Sequence, residues 1–383
     1  MTEYVPGLAG IPATKSAVSD IDGEAGILSY RGYSIEDLAE NCSFEETTYL
    51  LLNGELPNAA ELKEFDNRNS RRVKYNVREI MKFMPVTGHP MEMLQTAVAS
   101  LGMFYPESRE IVGGDVEDEY YLDQMALKIV ARMGTLVAMW DNMRKGYDRV
   151  EPREDLGYAA NFLWMMFGKE PSDLFVRIMD ACLVLHAEHT INASTFSAMV
   201  TGSTLAQPSM VAAAGIGTLA GPLHGAANQR VIEMLQEIST PDRVEEYVEG
   251  RLANKQVVWG MGHREYSTKD PRAKILEKFI PKVAADLGGS VSPLFETAQA
   301  VEAYCNERLG PKGVYPNVDF YSGILYKEMG IAVDQFTPIF AVSRSAGWMA
   351  HWRQQIRENR IFRPTQIYVG EQPRKVVPLA ERG

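Results

Sequence analysis

Apolar residues recur at helical spacing over most of the chain. Met125, Ile129, Met133, Leu136 and Trp140 share one face of a long helix expected over 122–143, where methionines fill a core stripe. Further helices are expected over 91–101, over 161–167, and from a cap at Ser172 or Asp173 to about residue 189. Ser34 with Asp37 resembles a capping box before Leu38, and Gly54 and Pro57 close a helix carrying Tyr49, Leu50 and Leu52. Strand-like text is confined to the N-terminal region. There Ala17-Val18-Ser19-Asp20-Ile21 and Gly26-Ile27-Leu28-Ser29-Tyr30 flank Asp22-Gly23, a hairpin signal. Between His189 and Gln229 no Asp, Glu, Lys or Arg occurs, but Pro208, Pro222 and scattered polar residues break any ~20-residue apolar span. The small residues Ala193, Ala198, Gly202, Ala213 and Gly217 instead point to closely packed helices in the core or at a subunit interface. The expected class is all-α with a minor N-terminal β element.

Composition narrows the function. A chain of 383 residues with 45% hydrophobic content has room for one large or two unequal domains. The net charge of −11 gives a nucleic-acid partner no electrostatic support, so an anionic substrate must be held by a few placed arginines. Cys42, Cys182 and Cys305 are odd in number and widely spaced, which suits reduced thiols and a cytoplasmic setting; Cys182 lies in an apolar run and reads as core. The first residues, Met1 to Gly7, show neither a signal core nor a transit pattern. Arg68, Arg71, Arg72 and Lys74 read as a solvated helix face, with an anion-binding patch as the second reading. His89 reads as a turn residue, and 113–119 as a solvated acidic loop. His186 and His189 lie three apart on one helix face, but no third ligand is placed, so no metal is expected.

The chemistry concentrates in three stretches. The first, Gly221-Pro222-Leu223-His224-Gly225, precedes an apolar-periodic segment with Val231, Ile232 and Leu235. His224 is either a turn filler or a neutral imidazole beside a helix N-terminus, able to donate to a developing oxyanion. The second runs from Gly260-Met261-Gly262-His263 to Asp270-Pro271-Arg272. It fits a plain helix entry, or a carbonyl-polarising histidine with a carboxylate-clamping arginine. The third is Tyr315-Pro316-Asn317-Val318-Asp319-Phe320-Tyr321. Among apolar neighbours Asp319 is either a buried helix cap near Tyr321 or a desolvated general base.

Together with Leu185-His186-Ala187-Glu188-His189, Val342-Ser343-Arg344 and Phe362-Arg363-Pro364, these stretches resemble the citrate synthase family in its shorter bacterial and archaeal form. The resemblance implies condensation of acetyl-CoA with oxaloacetate and water to citrate and CoA. In that reading His224, His263 and Asp319 are catalytic. His189, Arg272, Arg344 and Arg363 bind the dicarboxylate, with Arg363 coming from the second subunit of a homodimer. Leu223, Val257, Val258, Gly260, Gly262, Lys312 and Asn317 meet coenzyme A, which is substrate; no tightly bound cofactor, nucleic acid or membrane is implied. Ser267 stands where many relatives carry a basic residue, leaving the phosphate contacts to Lys255, Arg264 or Lys269. A large helical domain (1–220 with 325–383) and a small one (221–324) are expected. The N-terminal extension of NADH-inhibited bacterial forms is not present, so no such inhibition is expected. The neighbouring readings are a 2-methylcitrate synthase using propionyl-CoA, since one methylene discriminates by only ~1–3 kcal/mol, and a catalytically silent helical assembly protein.

Overall fold

A computed structural model describes residues 4–65, 71–105, 119–286 and 292–382, the side chains of 119–121 excepted. Arg68 and residues 113–118 of the acidic stretch therefore lie outside the described residues. Strands β1 (Ser19–Asp22) and β2 (Ile27–Tyr30) pair antiparallel with Ser19 opposite Tyr30, and β3 (Tyr33–Ser34) adds to β2. The hairpin expected around Asp22-Gly23 is present, with residues 23–26 between its strands. Asp22 Oδ1 accepts from the N–H groups of Glu24 and Ala25, and Gly26 rather than Gly23 takes the left-handed conformation, φ 68°. Gly23 is needed for close approach: a Cβ there would lie 1.8 Å from the carbonyl oxygen of Glu265. Its own carbonyl accepts from Ser267 N–H at 3.0 Å, so the hairpin tip rests on the loop after His263.

The rest is helical, as expected. Helices α1 (Ile35–Asn41), α2 (Phe44–Asn53) and α3 (Ala59–Glu64) start at side-chain caps from Ser34, Ser43 and Asn58, and Gly54 ends α2 in the left-handed conformation. Next come α4 (Tyr75–Lys82) and α5 (Pro90–Phe104), the latter capped by His89 Nδ1, which accepts from Met91 N–H. The long helix α6 (Glu119–Lys145) is followed by α7 (Tyr158–Phe167) and by α8 (Asp173–His186), which Ser172 caps. The uncharged stretch forms α9 (Ala193–Gly202) and α10 (Pro208–Leu219). Then α11 (Ala227–Ile238), α12 (Val244–Ala253), α13 (Pro271–Glu277), α14 (Ile280–Asp286), α15 (Pro293–Leu309), α16 (Val318–Glu328) and α17 (Phe336–Arg357) complete the order.

Helix α17 is buried along most of its length and packs on α2, α6, α8, α9 and α10. Small residues permit this. A Cβ on Gly215 would meet the Trp348 ring at 2.8 Å, and one on Gly202 would meet Trp352 at 3.0 Å. The absence of charge over 190–228 thus reflects helix-on-helix packing; among the described residues no helix is long and apolar enough to cross a membrane. One expectation fails. Arg71 is not on a solvated helix face: it is 1% exposed, donates to Leu156 O at 2.8 Å and pairs with Glu45, because the chain before α4 folds inward. A second group, α11, α12, α13, α15 and α16, packs mutually; His224 lies on the turn before α11, His263 on the loop before α13, and Asp319 in the first turn of α16.

Candidate active site

The second and third motif stretches zip together through their backbones. Gly262 N–H donates to Tyr315 O (2.7 Å), Asn317 N–H to Gly260 O (2.9 Å) and Asp270 N–H to Pro316 O (3.1 Å). Gly260 and Gly262 have φ of 76° and 87°, which a side chain would strain, and a Cβ on Gly260 would come within 2.8 Å of the Phe320 ring. This brings the His263 loop onto the start of α16.

Asp319 lies in the first turn of α16. The cap, one of the two readings of Asp319, is instead Asn317, whose Oδ1 accepts from Asp319 N–H at 3.0 Å, so the Asp319 carboxylate is not consumed by the helix. Its Oδ1 is sealed from solvent without a hydrogen-bond partner. Burial raises its pKa to about 6, with Arg272 pulling the other way and Asp270 adding to the rise.

Backbone donors hold His224 and His263 each as one neutral tautomer. Ser194 N–H donates to His224 Nε2 at 3.2 Å, leaving Nδ1 to carry the proton; Ser194 Oγ lies 2.8 Å from the same nitrogen and accepts from Trp348 Nε1 at 3.1 Å. Burial lowers the His224 pKa to about 4, and Arg344 adds to the shift. The cause is thus enclosure and a neighbouring cation, more than the helix terminus the sequence suggests, although α11 does begin without a side-chain cap. His263 Nδ1 accepts from Glu265 N–H at 3.0 Å, so its Nε2 carries the proton. Burial, with Arg272 next, lowers its pKa to about 4. His189 is buried, stands 4.9 Å from the His263 ring and places Nε2 3.1 Å from Tyr266 Oη. Burial and then Arg272 hold it well below the usual histidine range.

Two arginines are enclosed beside these groups. Arg272, 2% exposed, makes a bidentate pair with Asp270 through Nε (3.0 Å) and Nη2 (2.8 Å). Asp270 also caps α13 by accepting from Arg272 N–H, and it accepts from Val318 N–H at 3.3 Å. Arg344 Nε donates to His186 O at 2.8 Å, and its guanidinium lies 4.8 Å from the Phe340 ring centroid. Burial lowers its pKa to about 10, against the pull of Glu188. Arg344 acts electrostatically on His189, His224, His263 and Asp319, so the four lie near it.

The other expected residues divide. Val258 and Gly260 are buried, Val257 and Lys312 are exposed, and Leu223 stands fully in solvent. Asn317 is occupied twice, as the α16 cap and through Nδ2 donating to Gly262 O at 2.9 Å. Arg363 is not brought to the cleft of its own chain: it is exposed on the segment after α17 and donates to Pro364 O. Lys269 bridges Glu277 and Glu302 at 2.7 and 2.5 Å. His186 Nδ1 lies 2.7 Å from Cys182 O. Sequence reasoning missed Ser194, Tyr266 and Trp348, and of Asp270 it read the helix entry but not the pairing with Arg272. Only Asp270 carried a signal, since an aspartate two residues before an arginine at a helix start can cap and pair at once.

Comparison with known proteins bears on the whole chain. The family described as "Citrate synthase, C-terminal domain" matches residues 7–365. The citrate synthase of Acidithiobacillus ferridurans is 59% identical over 381 residues, covering 99% of this chain and 98% of that protein; the citrate synthase of Synechocystis is 49% identical, covering 99% and 94%. Among solved structures, the citrate synthase of Pyrobaculum aerophilum superposes with a TM-score of 0.92 at 41% identity, covering 98% and 95% of the two chains. That of Thermoplasma acidophilum, in ternary complex with carboxymethyl coenzyme A and oxaloacetate, gives 0.92 at 31% identity over the full length of both. The chain belongs to the citrate synthase family and is an acyltransferase of that family.

Proposed function

We propose that the chain condenses acetyl-CoA with oxaloacetate through Asp319 as the base. The ionised Asp319 carboxylate removes a methyl proton from the thioester. His224 Nδ1–H donates to the thioester oxygen as it becomes an enolate. His263 Nε2–H polarises the oxo group of oxaloacetate, the enolate carbon attacks that carbon, and the Nε2 proton passes to the forming alkoxide, to be replaced from solvent. Water then hydrolyses the citryl thioester, releasing citrate and CoA. His189, Arg272 and Arg344 hold the two carboxylates. The carrying observation is a carboxylate whose Oδ1 is enclosed without a partner, near two imidazoles whose free N–H positions are set by their backbone donors.

In the same reading the cleft lies between a large body (1–220 with 325–383) and a smaller one (221–324), and Arg363 completes the site of a second copy. The exposed segment after α17, with Ile361, Ile367, Tyr368 and Val369 in solvent, supports a homodimer. The loop 257–262 takes the coenzyme A adenine, with Lys312 and Leu223 at the mouth. Three unpaired cysteines fit a cytoplasmic enzyme. The test is release of CoA thiol, followed with a thiol-reactive chromophore, from acetyl-CoA with oxaloacetate present. No release sinks the reading; a higher kcat/KM with propionyl-CoA would move it to 2-methylcitrate.

A further inference from the structure

The segment 187–192 joins α8 to α9 and carries His189. Thr190 sits at φ 52°, an uncommon conformation for a β-branched residue, so the surroundings must over-determine it. They do so from three directions. Ser19 Oγ on β1 accepts from Thr190 N–H at 3.2 Å and donates to Glu188 Oε1 at 3.0 Å. Tyr30 Oη on β2 donates to Glu188 O at 2.9 Å and accepts from Glu188 N–H at 3.2 Å. From α17, His351 Nε2 donates to Glu188 Oε1 at 3.0 Å, and Gly347 N–H donates to Ala187 O at 3.1 Å.

Glu188 has no exposed surface, and its Oε2 has no hydrogen-bond partner. A Cβ on Gly347 would lie 2.1 Å from that oxygen, so the helix leaves room for it only by having glycine there. A carboxylate so enclosed is costly unless its charge is used. The two cleft arginines are served differently. Asp270 occupies Arg272 in direct contact, whereas Glu188 engages His351 and Ser19 and acts on Arg344 at longer range. Arg344 therefore keeps its charge balanced while its outer N–H groups stay available to a ligand.

We propose that Ser19, Glu188 and His351 are positioning residues for the dicarboxylate: they fix the turn that aims His189 and supply the counter-charge behind Arg344. The inference rests on the functional reading above. In the Ser19→Ala protein KM for oxaloacetate should rise about tenfold, while KM for acetyl-CoA and kcat stay within about twofold. Glu188→Gln, which keeps the shape and removes the charge, should raise it further, and Glu188→Asp should recover part of the loss. His351→Gln, which retains an N–H donor, should be milder than His351→Ala. If Glu188→Gln does not fold, Ser19→Ala on the sheet decides the matter. A lowered thermal midpoint in Ser19→Ala with both KM values unchanged, or kcat and both KM values shifting together, would overturn the proposal. If the unaltered protein fails to condense the substrates, the functional reading falls. Calorimetric oxaloacetate binding then decides the positioning role: weaker binding in Ser19→Ala supports it, and equal binding overturns it.

Discussion

Two aspartates of the candidate site have opposite fates. Asp270 and Asp319 stand at the starts of neighbouring helices, α13 and α16, which pack together, and both feel Arg272. Asp270 precedes its helix, folds back as the cap and collects four donors: Arg272 N, Nε and Nη2, and Val318 N. Burial opposes its ionisation, yet Arg272 overrides burial and holds the carboxyl below its usual range. Asp319 lies one residue inside its helix, where Asn317 has taken the cap, and its Oδ1 collects no donor. Burial then prevails and the pKa rises to about 6. Residue type does not separate a strut from a base here; the supply of donors does.

The largest expected effect tests the base directly. Asp319→Ala should lower kcat about 10²–10⁴-fold, the range of a lost general base, with oxaloacetate binding largely kept. In the unaltered protein kcat/KM should fall as pH drops below about 6, where Asp319 takes up its proton. Near-normal turnover in steady-state assays of the alanine protein would remove Asp319 from the mechanism.

The strut should respond in stability. Asp270→Asn leaves Arg272 buried without its counter-charge, which costs about 3–5 kcal/mol, read as a lower denaturation midpoint. Asp319→Asn should do the opposite at neutral pH. Its folded pKa lies above the unfolded value, so the aspartate's favourable contribution is complete below about pH 4 and is lost as pH rises through about 6. The asparagine protein should therefore be more stable at pH 7.5, by the order of 1–3 kcal/mol, and the gain should vanish toward pH 4 in a pH series of thermal melts. An equal midpoint at both pH values would mean that Asp319 is not desolvated.

The helices were legible in the sequence because their signals are local. Ser34, Ser172 and Gly54 act within one turn, and the stripe from Met125 to Trp140 repeats along a single helix. The hairpin was legible as well, but its docking was not: Gly23 answers to Glu265, more than two hundred residues away. Arg71 was misplaced for the same reason, since Leu156 O and Glu45 are remote partners. In the site, His189, His224, His263, Arg272, Arg344 and Asp319 were singled out through the family pattern, and they lie near one another. What fixes their protonation was not legible: Ser194 meets His224 thirty residues away in sequence, and its motif says only that a helix starts nearby.

The smallest expected effect concerns the residue that lets the two aspartates differ. Asn317 Oδ1 caps α16 in place of Asp319, and Asn317 Nδ2 ties the same helix to Gly262 O. Removing it with Asn317→Ala costs a helix cap, about 1 kcal/mol of stability. It also frees the Asp319 amide to seek the Asp319 carboxylate or water, and it loosens the loop at Gly262. Thermal melts should show a modest drop. Kinetics should show a higher KM for acetyl-CoA with little change in KM for oxaloacetate, because Arg272 and Arg344 do not touch Asn317. Asn317→Asp keeps an acceptor for the cap but cannot donate to Gly262 O, so it should recover stability and leave the KM for acetyl-CoA raised. If Asn317→Asp restores both quantities, the tie to Gly262 has no part in acetyl-CoA binding and the cap alone accounts for Asn317.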